Sequence, residues 1–221
     1  MHVRDCISEL TEALKEFFGS RLLYVGLQGS HRRGEATEKS DIDVMVVLDR
    51  LFPEDLQSYK NIISRMKNAD KYCGFISGQR ELAEWNRLEI CQLTHETLDC
   101  HGTLKTLVPF YTDEDVKNYV KLSAGNLYHE ICHRFIYSPS EKSIAKLSAS
   151  YKQVFYILQN KYYLRTGEYV ITKKELLTRL QGKDLEILET AMNINESYDT
   201  EKVEKAFLLF FDWCKETITN V

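Results

Sequence analysis

The chain has 221 residues, 43% of them hydrophobic and 28% charged, which is apolar enough for one large core or two small ones. Its 29 basic and 33 acidic residues give a formal charge of −4, without the basic surplus of a protein that works on long nucleic acid. Charged residues Arg4, Asp5, Glu9, Glu12 and Glu16 exclude a secretory leader at the amino terminus, no apolar run approaches a bilayer span, and the six cysteines form no Cys-x-x-Cys pair, so a cytoplasmic location with reduced thiols and no membrane partner is expected.

Val3, Ile7, Leu10, Leu14 and Phe17 recur at helical spacing, and Gly19 ends that helix. Leu22 to Leu27 reads as a strand, and a polar, glycine-containing loop follows from Gln28 to Ser40. Asp41 to Leu48 is a second strand, apolar on both faces from Val44 onward and therefore central and buried. Pro53 opens a helix with Leu56, Ile63 and Met66 on one side. Arg87 to Leu93 is read as a third strand. Helices take over from Thr112. The acidic first turn Asp113-Glu114-Asp115 starts a long one, with a stripe of Val116, Tyr119, Val120, Leu127 and Ile131. Ser138-Pro139-Ser140 breaks the chain, and a second long helix runs to about Arg165 and stops at Gly167. Thr172 caps a short helix through Leu180, and Asp184 to Met192 and Thr200 to Thr217 complete a bundle of about five. Tyr151, Phe155, Tyr156, Tyr162 and Tyr163 are read as core packing at helical spacing rather than as a platform for a base.

The chemistry concentrates in Gly29-Ser30-His31-Arg32-Arg33-Gly34 and Ser40-Asp41-Ile42-Asp43. A loop with free N–H groups between two glycines can wrap anionic oxygen. Strand periodicity puts Asp41 and Asp43 on one face, with their origins about 6–7 Å apart. Two like charges so placed repel unless a cation lies between them, and hard oxygen ligands at a strand end suit Mg²⁺ bridging phosphate oxygens.

This string resembles the signature of the DNA-polymerase-β-like nucleotidyltransferase superfamily, a Gly-Ser, a spacer and Asp-x-Asp. Leu88-Glu89-Ile90 is similar to the Leu-Glu-Val of the spectinomycin- and streptomycin-type aminoglycoside adenylyltransferases, and Thr166-Gly167 followed by Lys173 is similar to their late Thr-Gly…Lys segment. The resemblance implies an α/β (α+β) nucleotidyltransferase domain with a mixed sheet, assigned to residues 1–110, and an all-α helical bundle over residues 111–221. It implies that Gly29 and Ser30 hold the triphosphate, with Ser40 and Arg33 placing the phosphates, that Asp41 and Asp43 bind Mg²⁺, and that Lys173 (or Lys174) reaches the nucleotide. Glu89 is the implied base, with Glu96 and Asp99 as substitutes if the strand register differs. The implied reaction moves a nucleoside monophosphate, AMP from ATP, to a hydroxyl of a small acceptor such as an aminoglycoside. Ser148-Ala149-Ser150 departs from the streptomycin-modifying enzymes, which carry an acidic residue there. A protein acceptor, as in toxin–antitoxin modules, and a nucleotide-binding module without catalysis are the rival readings.

His129-Glu130-Ile131-Cys132-His133 also matches the zinc-protease string, with its histidines at i, i+4 on a helix. A catalytic zinc needs a third protein ligand, for which Glu141 is the nearby candidate. The neighbours Leu127, Ile131 and Phe135 mark an ordinary bundle helix, so the protease match is read as coincidence.

Overall fold

The computed structural model describes residues 2–137, 143–194 and 200–221. The expected break at Ser138-Pro139-Ser140 and the candidate ligand Glu141 lie outside them. The chain forms two compact units, one ending at Tyr111 and the other beginning at Thr112.

In the first unit, α1 (Val3–Phe18) leads into β1 (Leu22–Leu27), the short α2 (Gly29–Arg33), β2 (Ile42–Leu48), α3 (Pro53–Ile63), β3 (Tyr72–Gly78), α4 (Gln79–Ala83), α5 (Arg87–Glu96) and β4 (Leu98–His101). The strands form one mixed sheet in the order β3-β2-β1-β4. β1 pairs antiparallel with β2 and with β4, while β2 and β3 run parallel. Alternation along the strands sends Val25, Leu27, Ile42, Val44, Val46 and Leu48 to one face, where Ile7, Leu10, Leu14 and Phe18 of α1 cover them. Tyr24, Met45 and Val47 take the other face with Leu82 and Leu104. β2 is thus apolar on both sides because it is covered on both sides. Arg21, just before β1, donates to Asp55 at 2.9 and 2.7 Å and to Asp49 at 3.1 Å, which ties the start of α3 to the sheet.

Two sequence expectations change. Residues 87–93 are helical, not a strand. The side chain of Asn86 accepts from the Leu88 N–H at 3.1 Å and caps α5. Ile90 and Cys91 are adjacent and both buried on the inner side of this helix. The third and fourth strands are instead β3 and β4. The loop from Gln28 to Ser40 also contains α2.

The second unit holds α6 (Asp113–Tyr137), α7 (Ser143–Thr166), α8 (Lys173–Arg179), α9 (Gly182–Asn193) and α10 (Thr200–Asn220). Thr112 and Asp115 cap α6 reciprocally, the Asp115 carboxylate accepting from the Thr112 N–H at 2.8 Å and the Thr112 hydroxyl from the Asp115 N–H at 3.3 Å. Tyr151, Val154, Phe155, Leu158, Phe210 and Trp213 fill the core of the bundle. Tyr151 donates to the Ala206 carbonyl at 2.8 Å, so its hydroxyl is used internally. The Thr172 side chain caps α8 by accepting from the Glu175 N–H at 3.2 Å. Among the described residues no helix is long and apolar enough to cross a membrane.

Candidate active site

The end of β1 and the start of β2 are adjacent because the strands are antiparallel. The Gln28 N–H donates to the Asp43 carbonyl at 2.8 Å and fixes that junction. Gly29 follows with φ +68°, and a Cβ there would lie 1.9 Å from Asp43 Oδ2. Glycine is therefore required twice, for its backbone angle and for the close approach of the carboxylate. Ser30 lies in the first turn of α2. Its hydroxyl makes no hydrogen bond to a described residue, and Gln28 caps that turn without a side-chain acceptor.

Asp41 is exposed and Asp43 half-buried. Neither carboxylate has a hydrogen bond or ion pair with a described residue. Burial pushes the Asp43 carboxyl above its usual range and Asp41 pushes it further, while Arg33 and His31 pull it down. A half-buried carboxylate held beside a second one without a partner is unfavourable in the isolated chain and becomes favourable when a cation lies between them. No group of three or more His, Cys, Asp and Glu side chains is preassembled among the described residues. The donor set, two carboxylates with other positions left to phosphate oxygens and water, suits Mg²⁺. Next to it, His31 Nε2 and Arg32 Nε are buried and unpartnered among the described residues, two further polar atoms in the loop left to a ligand.

Arg33 is placed differently from the expectation of a phosphate contact. Its guanidinium, 9% exposed, donates to Glu35 Oε2 at 3.1 Å and to Glu96 Oε2 at 2.9 Å. It thereby pins the loop to the end of α5. Ser40 closes the loop on itself, its hydroxyl accepting from the Thr37 N–H at 2.9 Å.

Glu89 is not on the sheet. It is exposed on α5 and accepts from Trp85 Nε1 at 2.7 Å. The carboxylate on the sheet face of Asp43 is that of Asp99, on β4. Gly26 pairs with both Met45 and Asp99, and Met45 shares the face of Asp43. Tyr24, fully buried, donates its hydroxyl to Asp99 Oδ1 at 2.6 Å, and the Leu104 N–H approaches the same oxygen at 3.4 Å. Oδ2 has no partner among the described residues. Burial, with the bond to Asp99, pushes the Tyr24 hydroxyl far above its ordinary range, so it stays protonated and donates. A Cβ at Gly26 would lie 2.4 Å from the Tyr24 hydroxyl, so the glycine gives the tyrosine its path to Asp99. In the next row Gln28 Nε2 donates to Thr97 Oγ1 at 2.8 Å. Glu96 is thus committed to Arg33 and Asp99 to Tyr24, and no local sequence pattern marks the contacts of Tyr24, Gly26 and Gln28. The signal for β4 was the alternation of Leu98 and Cys100 around Asp99, too short at four residues to stand out.

Lys173 belongs to the helical unit, where it opens α8 with its ammonium 5.6 Å from the centre of the Phe155 ring.

A family model described as a nucleotidyltransferase domain matches residues 7–120. A protein of Methanocaldococcus jannaschii that carries the provisional name protein adenylyltransferase is 41% identical over 49 residues, 22% of this chain and 49% of that protein, so the chain spans about half the length of this relative. The crystal structure of spectinomycin adenyltransferase AAD(9) from Enterococcus faecialis with ATP and spectinomycin matches with a TM-score of 0.56 at 14% identity, over 96% of this chain and 98% of that one. At that identity the likeness is one of fold.

Proposed function

From the premise that the chain belongs to the nucleotidyltransferase domain family, whose model covers more than half of it, we propose that it moves AMP from ATP to a hydroxyl of a small acceptor with the help of Mg²⁺. The domain that does so is assigned to residues 1–110, with residues 111–221 as an accessory helical bundle. The observation that carries the reading is the unpartnered, half-buried Asp43, seated on Gly29 beside Asp41.

Asp41 and Asp43 would hold the Mg²⁺, which would screen the charge of the triphosphate and of the leaving pyrophosphate. The Ser30 hydroxyl and the first-turn N–H groups of α2 receive phosphate oxygens. Asp99 Oδ2 takes the proton of the acceptor hydroxyl. The acceptor oxygen forms its bond to the α-phosphorus as the bond from that phosphorus to the bridging oxygen breaks, and pyrophosphate leaves. Asp99 replaces Glu89 as the base because it lies on the sheet face of Asp43, with one oxygen anchored and the other open.

The acceptor class is supported by the fold shared with AAD(9), a structure determined with ATP and spectinomycin. The Methanocaldococcus jannaschii relative favours a second reading, in which the acceptor is a hydroxyl on a protein. Both use the same nucleotide site. The test is transfer of the α-phosphate label of ATP to spectinomycin, to a panel of aminoglycosides and to protein, with Asp43→Asn as control. Label on a small molecule supports the first reading, and label on a polypeptide alone the second.

A further inference from the structure

His129 and His133 lie on the exposed side of α6, four residues apart, with ring centres 6.2 Å apart and planes inclined at 43°. An ion about 2.0–2.1 Å from a ring nitrogen stands about 3.2 Å from the ring centre, so two ligating imidazoles have centres at most about 6.4 Å apart. The observed separation falls inside that limit. A tetrahedral angle at the ion requires the ring centres to approach to about 5.2 Å, which rotation of the two exposed side chains must supply.

The intervening Glu130 points elsewhere. Its carboxylate accepts from the Ser150 hydroxyl at 2.9 Å and pairs with Arg134, so it faces α7. Among the described residues no third His, Cys, Asp or Glu side chain joins the two imidazoles. The arrangement therefore lacks both the general base and the closed ligand set of a protease zinc, while two imidazoles remain on one helix face.

We infer that His129 and His133 form a two-point chelate for a borderline transition-metal ion, Zn²⁺ being the representative, with the other coordination positions open to water. Imidazole nitrogens favour such ions over Mg²⁺, which takes hard oxygen ligands. The site is thus chemically separate from the Asp41–Asp43 pair, and the two can be told apart by choice of metal.

The test is titration of the full-length protein with Zn²⁺ in the presence of excess Mg²⁺, by calorimetry and by imidazole NMR spectra. The expected result is one Zn²⁺ that shifts the signals of two of the six histidines. His129→Ala and His133→Ala each weaken binding by about tenfold or more, since the second imidazole otherwise binds intramolecularly. Both positions are exposed, so the variants keep the fold, which circular dichroism checks. No Zn²⁺ binding by the wild-type protein overturns the inference. So does binding that is unchanged in both variants, which would assign the ion to other groups, such as the exposed thiols of Cys73 and Cys100.

Discussion

The buried Tyr24 hydroxyl donates to Asp99 Oδ1 at 2.6 Å across Gly26, and Asp99 Oδ2 has no partner among the described residues. If Asp99 is the base, Asp99→Asn lowers transfer by about 10²–10⁴-fold, the range for a positioned general base. Tyr24→Phe lowers it less and adds little to Asp99→Asn, because the two act as one unit. Nucleotide affinity is unchanged in both. Glu89→Gln leaves transfer at the wild-type level, and steady-state kinetics of the four variants checks the set.

Asp43→Asn removes a half-buried charge that burial and Asp41 disfavour. In metal-free buffer the variant therefore melts at a higher temperature than the wild type, while its transfer falls by about 10²-fold or more. Melting curves with and without Mg²⁺ check this, and the wild type alone gains stability from the metal. Chelation of the metal abolishes wild-type transfer.

The Arg33–Glu96 pair has side chains 9% and 8% exposed. Breaking it by Glu96→Ala leaves the buried guanidinium with Glu35 and costs less than the about 3–5 kcal/mol of a fully unpaired buried charge. Denaturant unfolding measures it. A loss near zero would mean that Glu35 alone compensates Arg33.

Hydrogen bonds from Arg21 hold the Asp55 carboxyl below its usual range, with a contribution from the Phe52 N–H. A depressed carboxylate stabilises the fold above its unfolded pKa, and that contribution is lost as the pH falls through the folded value. Asp55→Asn therefore lowers the melting temperature at neutral pH, and the difference from wild type shrinks as the medium is made acidic below the carboxylate range. Melting temperatures across a pH series show the convergence.

The loop and strand around Asp41 and Asp43 were legible because they obey local rules: a glycine at a positive φ, a two-residue alternation and an apolar run buried on both faces. The long helices of the second unit were legible for the same reason, through stripes such as Val116, Val120 and Leu127. Arg87-Leu88-Glu89-Ile90 alternates like a strand, and the local mark of a helix is the Asn86 cap. β3 was missed because Gly74 and Gly78 interrupt its pattern, while its register comes from pairing with β2. Arg33 has ordinary phosphate-binding chemistry in sequence. Its commitment to Glu96, 63 residues away, is a tertiary fact that no local pattern carries.

The most direct measurement is Mg²⁺-dependent transfer of the α-phosphate label of ATP by the purified chain, wild type against Asp43→Asn, with spectinomycin, an aminoglycoside panel and protein as acceptors. The account predicts one labelled acceptor and release of pyrophosphate with the wild type, and neither with the variant. Transfer that is undiminished in Asp43→Asn, or a wild type that neither binds MgATP nor releases pyrophosphate with any acceptor, would contradict it.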